Sequence, residues 1–189
     1  GITKSGQWFL TNGVSKDIAQ GKALGLILDA QSPGFTILSS GDRIKADIIF
    51  PVLHGTDGED GSIQGLIKAM DIPMVGTGVL GSALSMNKIV AKRLLKDAGL
   101  PVTNFVAFHY TEREKIDFQT VRGILGLPFM VKAASLGSSV GVNKVSNEAD
   151  FNKAVDEAFR YDDSLLMEEF VTGREIECAI LGNHPPDAS

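Results

Sequence analysis

Runs of apolar residues alternate along the chain with segments in which apolar residues recur every three or four positions. One strong run covers residues 46–53 and is typical of a strand buried on both faces of an α/β sheet. Helical spacing follows at residues 62–70, where Ile63, Leu66, Ile67 and Met70 share one face. This order of strand, loop and helix predicts an α/β fold that opens with a parallel sheet.

A second long helix is predicted at residues 85–98. Ser85 is placed to cap its start, and Gly99 followed by Pro101 ends it. Its expected buried stripe consists of Ile89, Val90, Leu94 and Leu95. Weaker patterns predict strands at residues 8–10, 24–28, 72–75, 102–109, 129–131 and 140–145, and helices at residues 117–125 and 147–161. From residue 102 onward these elements form an α+β layer.

The last predicted strand begins at residue 165 and runs into two acids, Glu168 and Glu169. Beyond Gly173, polar and apolar residues alternate strictly up to residue 181, which predicts one acidic and one apolar face. Two interpretations stay open. The segment is either a half-exposed strand with a solvated acidic face, or a hinge whose backbone meets a purine while a carboxylate holds the ribose hydroxyls.

The amino-acid composition excludes or disfavours several classes of protein. The formal net charge of −5 disfavours a general nucleic-acid binder, because phosphate backbones favour a surplus of lysine and arginine. A single cysteine, Cys178, excludes an intrachain disulfide and suits a reducing, cytoplasmic compartment. No apolar run approaches the roughly 18 residues of a membrane span. The first residues look like the interior of a folded domain, and the last residues stop at a turn after a predicted strand, so we expect both ends to be truncated.

Candidate chemistry lies at Lys132, at the end of a short apolar strand. A loop of glycine and serine follows at residues 137–141. Glycines let backbone N–H groups turn toward an anion, hydroxyls add donors and an ammonium group neutralises charge, which together suit a polyphosphate. A plain hairpin with a solvated lysine is the alternative. Lys88 lies in the first turn of a helix, where the helix dipole disfavours a cation, so it is either held for a ligand or simply solvated.

Residues 76–81 match the G-x-G-x-x-G dinucleotide fingerprint, which raises the alternative of an NAD-dependent dehydrogenase. That fingerprint needs a substantial strand before it and an acidic strand-end residue about 20 positions later. Here the preceding strand is short, and Asp97 falls late in a predicted helix. The spacing therefore disfavours NAD binding.

The order of these stretches resembles that of the D-alanine–D-alanine ligases of the ATP-grasp superfamily. The shared features are HGxxGEDGxxQG at residues 54–65, the lysine of residues 83–88, the helix end at residues 94–101, Lys132 with GSSVG at residues 137–141, and residues 173–179. The resemblance implies an N-terminal open parallel-sheet domain at residues 1–84 and an ATP-grasp central subdomain at residues 85–171. Residues 172–189 would then be the first strand of a truncated C-terminal subdomain.

The resemblance also implies roles for individual residues. Those expected to bind ATP are Lys88, Lys132, Gly137, Ser138, Ser139, Val140, Glu168, Glu169, Phe170, Val171 and Glu175. Within this set the lysines would contact the phosphates, and residues 137–140 would fold over them. Glu168 and backbone groups of residues 169–171 would meet the adenine, and Glu175 would hold the ribose. On the substrate side, His54 and Ser138 would be catalytic and Glu59 would support His54, for which a plain hydrogen-bonded loop histidine is the alternative.

By the same resemblance, the reaction would be the ATP-dependent ligation of two D-alanines for peptidoglycan precursors. ATP would convert one carboxylate into an acyl phosphate, which the amine of the second D-alanine attacks. The enzyme would be a cytoplasmic homodimer that binds neither nucleic acid nor membrane. Alternatives are another ATP-grasp carboxylate–amine ligase, or a non-catalytic nucleotide-binding fragment.

Two further expectations concern what this chain carries. The Mg²⁺ ligands of the family would lie beyond residue 189, so this chain alone would be inactive. No metal ligand is assigned within it, because helix capping and orientation of His54 account for Asp57, Glu59 and Asp60. One departure from the family is Ala133, where a proline is common after the strand lysine.

Overall fold

The computed structural model describes residues 1–14, 17–137, 140–183 and 185–189. Its first half contains strands β1 (Trp8–Leu10), β2 (Lys22–Ile27), β3 (Gly34–Ile37) and β4 (Arg43–Lys45), then helices α1 (Ser62–Ala69), α2 (Val79–Met86) and α3 (Lys88–Asp97). Its second half contains β5 (Phe105–His109), α4 (Phe118–Leu125), β6 (Phe129–Ala133), β7 (Val142–Val145), α5 (Glu148–Ala158), β8 (Ser164–Glu169), β9 (Ile180–Leu181) and β10 (Asp187–Ala188). Short 3-10 turns lie at Ile18–Gln20 and Tyr110–Lys115. The predicted mixed α/β class is confirmed.

The sheet of the first half is antiparallel, in the order β1-β2-β3-β4. The expected parallel sheet is reduced, in the described residues, to one bridge between Ile49 and Met74. Short turns join β2 to β3 and β3 to β4, and such turns permit only antiparallel pairing. Parallel pairing needs a crossover, and α1 is the element that lies between Ile49 and Met74. The predicted strand at residues 46–53 is therefore wrong: apart from the bridge residue Ile49 this segment belongs to no strand, and Phe50 is exposed.

Helix α1 is confirmed and carries the core of the first half. Ile63, Ile67 and Met70 are buried on the face predicted from their spacing, and Trp8 and Phe35 of the sheet pack against them. Gly61 begins the helix with a φ of 101°, a left-handed conformation that favours glycine. One carboxylate oxygen of Asp60 accepts the Ser62 N–H at 2.9 Å, as an acidic residue at a helix start should.

The single helix predicted at residues 85–98 is wrong: the chain forms two helices, α2 and α3, that meet at Asn87. Asn87 is extended, and its side-chain oxygen accepts the Val90 N–H at 3.0 Å, so Asn87 rather than Ser85 is the cap. The predicted buried stripe is also reduced to Ile89, because Leu94 and Leu95 are 47% and 42% exposed. Glycine at position 99, with φ 76°, ends α3 as predicted.

The cap assignment gives a direct prediction with a matched control. Asn87→Ala should lower the free energy of unfolding by about 1 kcal/mol, because the Val90 N–H loses its acceptor. Ser85→Ala lies inside α2 and should change stability by less than about 0.5 kcal/mol. Urea denaturation of the two variants measures the difference. Equal effects, or a larger effect at Ser85, would contradict the assignment of the cap.

The second half is an antiparallel sheet in the order β5-β8-β6-β7. Helices α4 and α5 cover one face, where Phe118, Phe129, Phe151 and Val155 form the main core. Side chains alternate along a strand, so the residues between the core positions of β6 point to the opposite face. That opposite face carries Met130, Lys132, Lys144 and Glu168, and it positions the candidate site.

The strand predicted to continue to residue 181 ends early. Strand β8 stops at Glu169, and only Ile180 and Leu181 resume extended pairing, as β9 with β10. An alternating strand needs a second surface to cover its apolar face, and in the described part of the chain nothing covers Ile176, which is 77% exposed. None of the described helices is long and apolar enough to cross a membrane.

Candidate functional site

The centre of the candidate site is the buried carboxylate of Glu168 near the end of β8. Glu168 is only 8% exposed, and each of its two carboxylate oxygens pairs with a different lysine. Lys132 of β6 pairs with Oε1, while Lys92 of α3 lies 2.7 Å from Oε2. The hydroxyl of Thr103 donates to the same Oε2 at 2.9 Å. A buried carboxylate needs such partners to stay ionised.

The charge state of Glu168 follows from two opposing effects. Burial alone would raise the pKa of Glu168, because it disfavours the charged form. The hydrogen bonds from Lys132, Lys92 and Thr103 outweigh burial and hold the pKa of Glu168 below its ordinary value. The site therefore presents a fixed anion between two ammonium groups at neutral pH.

This lowered pKa predicts a pH-dependent stability. Because the folded-state pKa lies below the unfolded value of about 4.3, the stabilisation is present above that pH and is lost as pH falls through the folded pKa. Glu168→Gln should lower the free energy of unfolding by about 2 kcal/mol at pH 7. The difference in stability between this variant and the wild type should shrink below about pH 4. Urea midpoints from pH 3 to pH 7 measure it, with exposed Glu114→Gln as the control. A difference that is constant with pH would contradict the ionised state of Glu168.

Lys88 is the first residue of α3 and is directed at the chain that follows β6. Its backbone N–H donates to the Ala134 carbonyl at 2.8 Å. Its ammonium group donates to the carbonyls of Ala133, at 3.1 Å, and Leu136. Burial, aided by the nearby charge of Lys132, lowers the pKa of Lys88. The predicted cation therefore lies at the start of the glycine-serine loop.

The same loop is anchored from two other directions. Asp162 accepts the Ser135 N–H at 2.6 Å and the Ser164 N–H at 2.9 Å. Asn87 donates to the Ser135 hydroxyl at 3.0 Å. Of the predicted phosphate-loop residues, Gly137 and Val140 are joined by a hydrogen bond of 3.3 Å from the Val140 N–H, while Ser138 and Ser139 lie outside the described residues.

The predicted adenine-contacting segment begins where β8 ends. Glu169 accepts the backbone and side-chain N–H groups of Asn104 at 2.9 and 3.1 Å, which ties the strand end to the start of β5. Phe170 is exposed, and the ammonium of Lys144 lies 4.0 Å from its ring centroid. Val171 and Glu175 are exposed beyond it, and no described contact joins Glu175 to Glu168.

The histidine loop lies in the first half of the chain. Glu59 accepts the Gly55 N–H at 2.6 Å, because the chain turns at Gly55 with φ 75°. The expected contact between Glu59 and the ring of His54 is not among the hydrogen bonds of the described residues. Glu59 and Gly137 line one cavity of about 440 Å³, whereas His54 lines a second cavity of about 710 Å³. Gly58 and Glu59, rather than His54, are thus the members of this loop that share a cavity with Gly137 of the phosphate loop.

Sequence reasoning missed several residues that build this site, among them Lys92, Thr103, Asn104 and Asp162. Lys92 had a usable signal, since it follows Lys88 by four positions and residues so spaced share a helix face. The other three are polar residues in loops or at loop ends, and only the tertiary pairing of β5, β6 and β8 brings them to the site.

Two alternative sites receive no support from the geometry. The glycine run at residues 76–81 is preceded by a single bridge residue, Met74, instead of the strand that a dinucleotide fingerprint needs. Within the described residues, no group of three or more His, Cys, Asp or Glu side chains is arranged to hold a metal ion. The chemistry that the described site offers is anion binding by clustered ammonium groups beside one fixed carboxylate.

Comparisons with known proteins bear on this site. Residues 1–77 match the family model described as the D-ala D-ala ligase N-terminus, and residues 94–189 match the D-ala D-ala ligase C-terminus. The D-alanine–D-alanine ligase of Oceanobacillus iheyensis is 43% identical over all of this chain and 55% of its own length. Ligase A of Salmonella typhimurium is 52% identical over 76% of this chain and 39% of its own.

Solved structures agree with the family models. The D-alanine–D-alanine ligase of Coxiella burnetii superposes with a TM-score of 0.88 at 38% identity, over 98% of this chain and 57% of its own. The VanG D-Ala:D-Ser ligase of Enterococcus faecalis also gives 0.88, at 32% identity, over 100% of this chain and 57% of its own. The chain thus spans about half the length of the relatives it matches.

Proposed function

The chain belongs to the D-alanine–D-alanine ligase family, and from this premise we propose that it forms the ATP-binding part of an enzyme that joins two D-alanines. The observation that best supports this proposal is the arrangement of Lys88, Lys132 and Glu168 on one face of the central sheet. A polyphosphate needs fixed cations, and a purine with an amino group needs an acceptor. Both lie side by side here, next to a loop of small residues.

The proposed chemistry follows from the weakness of a carboxylate as an electrophile. ATP transfers its γ-phosphoryl group to the carboxylate of one D-alanine, which releases ADP and leaves an acyl phosphate. The amine of the second D-alanine attacks that carbonyl, and phosphate departs as the peptide bond forms. The contribution of this chain is positioning and charge: Lys88 and Lys132 hold the phosphates while negative charge shifts toward ADP.

Other residues of the chain are proposed to bind the adenine, the ribose and the first D-alanine. Glu168 and the backbone of residues 169–171 hold the adenine, and Glu175 holds the ribose. Residues 137–140, including Ser138 and Ser139, cover the phosphates. On the substrate side Ser138 and His54 act on the first D-alanine, with Glu59 supporting that side of the site.

We also propose a domain organisation, a metal requirement, an oligomeric state and a cellular compartment for the enzyme. Residues 1–84 form the substrate-side domain, residues 85–171 the central ATP-grasp subdomain, and residues 172–189 the start of a third part. Mg²⁺ would neutralise phosphate charge during transfer, with ligands outside this chain. The enzyme acts as a homodimer in the cytoplasm, where ATP is available, and supplies peptidoglycan precursors.

A second candidate activity uses D-serine as the second substrate. It is favoured by the superposition with the VanG D-Ala:D-Ser ligase, whose TM-score of 0.88 equals that of the Coxiella ligase. The two activities share the acyl phosphate and differ only in the attacking amine, so the ATP site described above serves both.

Release of ADP by the full-length protein distinguishes these functions. We expect ADP release with D-alanine alone and formation of D-alanyl-D-alanine, detected by mass spectrometry. Faster release with D-serine added, and a mixed dipeptide, would favour the second candidate. ATP binding without turnover on any amino acid would favour a non-catalytic role. The 189-residue chain, assayed in parallel, should give no dipeptide.

A further inference from the structure

Lys92 pairs with one oxygen of Glu168, and Lys132 pairs with the other. Lys92 lies one helical turn after Lys88 in α3, and its side chain is only 15% exposed. Its ammonium nitrogen is 2.7 Å from Oε2 of Glu168 and 5.3 Å from the ring centroid of Phe105. It also donates to the Thr103 side chain and, at 3.4 Å, to the Thr103 carbonyl. Lys92 is therefore a largely buried cation that three described contacts hold in place.

The two lysines on Glu168 are not equivalent. Lys132 is the more exposed, at 25%, and uses Oε1, whereas Lys92 and Thr103 use Oε2. A phosphate group that engages Lys132 competes with Oε1 for the same ammonium. Without a second partner, Glu168 would then be a buried carboxylate with no ion pair, which is strongly unfavourable. Lys92 provides that second partner on the other oxygen.

We infer that Lys92 is a positioning residue, which keeps Glu168 fixed and ionised while Lys132 turns to the nucleotide phosphates. This inference rests on the proposed ATP site. This role accounts for the two cations on one carboxylate. Lys132 moves from Glu168 to the phosphates when the nucleotide binds, whereas Lys92 and Thr103 stay on Glu168. Oε1 of Glu168 is then free to accept the amino group of adenine.

Substitution of Lys92 in the full-length protein tests this role. Lys92→Met keeps the length of the side chain and removes its charge, and we expect KM for ATP to rise about tenfold or more, the effect of one lost charge-assisted hydrogen bond. We expect kcat and KM for D-alanine to change less than about threefold, because Lys92 does not reach the phosphates or the amino acid. Lys92→Arg should restore most of the affinity. Exposed Lys96→Met, one turn later in α3, is the matched control and should behave as wild type.

A double-mutant cycle separates positioning from a merely structural effect. If Lys92 acts through Glu168, then Lys92→Met should add less than about threefold to the KM of Glu168→Gln. Fully multiplicative effects, or a Lys92→Met protein with the wild-type KM for ATP, would overturn the inference. If Lys92→Met does not fold, as judged by circular dichroism, Thr103→Val replaces it and should raise KM for ATP in the same direction. A wild-type protein that releases no ADP with D-alanine contradicts the proposed function instead, so the two failures are distinguishable.

Discussion

Replacing Lys132 by alanine in the full-length protein should lower kcat/KM for ATP by about 10²–10³-fold, the usual effect of removing one fixed donor from a site of developing charge. Lys132 projects from β6 on the face opposite the aromatic core, so its truncation removes no core packing. Glu168 keeps Lys92 and Thr103 as partners in the variant. The fold should therefore persist while ATP-dependent activity is lost.

The control for Lys132→Ala is Lys153→Ala, which removes the same group from an exposed position on α5. Steady-state ADP release and circular dichroism of both variants make the comparison. Wild-type kinetics for Lys132→Ala would reject its phosphate role. A loss of activity accompanied by unfolding would reject the claim that the residue serves the site rather than the core.

Replacing Phe129 by alanine should lower the free energy of unfolding by about 3–5 kcal/mol, as expected for a large aromatic side chain removed from a closed core. Phe129 is completely buried. Its ring lies 6.4 Å from that of Phe118 and 6.0 Å from that of Phe151, between the sheet and the two helices. The cavity would lie directly behind Lys132 and Met130, so the site should loosen as well.

Phe50→Ala provides the matched control, because Phe50 is 70% exposed and the same atoms are removed. We expect a change of less than about 1 kcal/mol for this variant in urea denaturation. Similar losses for the two variants would show that the aromatic cluster is not the main core of the second half.

Where periodicity and burial agreed, the sequence was sufficient to predict the elements. Helix α5 is an example: the spacing predicts a helix at residues 147–161, and the structure has one at Glu148–Ala158 with Phe151, Ala154, Val155 and Ala158 buried. Asp117 caps α4, and hydrogen bonds from Thr120 lower the pKa of its carboxyl. These features are local, so neighbouring residues determine them.

Predictions failed where a distant partner decides the structure. The apolar run at residues 46–53 has the composition of a central strand, but a strand forms only where neighbours pair with it, and here Ile49 alone is bridged. Residues 174–179 likewise form no strand, and only Ile180 and Leu181 pair, as β9. The split at Asn87 depends on a side chain that serves both a helix cap and a contact to Ser135, 48 residues away.

In the candidate site, too, some residues could be predicted from the sequence and others depend on tertiary pairing. Lys88, Lys132 and Glu168 could be found from the family motifs, and the structure brings them to one face of the sheet. Thr103 and Asp162 could not, because their roles depend on the pairing of β8 with β5 and β6. The roles of all these residues stay predictions, and Ser138 and Ser139 lie outside the described residues.

A crystal structure of the full-length protein with D-alanine and a non-hydrolysable ATP analogue would show whether Lys88, Lys132 and Glu168 bind the nucleotide. We expect the ammonium groups of Lys88 and Lys132 to lie within about 3.2 Å of phosphate oxygens, and Oε1 of Glu168 to accept a hydrogen bond from the adenine amino group. Lys92 should stay on Oε2. A nucleotide bound elsewhere, with Lys132 still paired to Glu168, would contradict these roles.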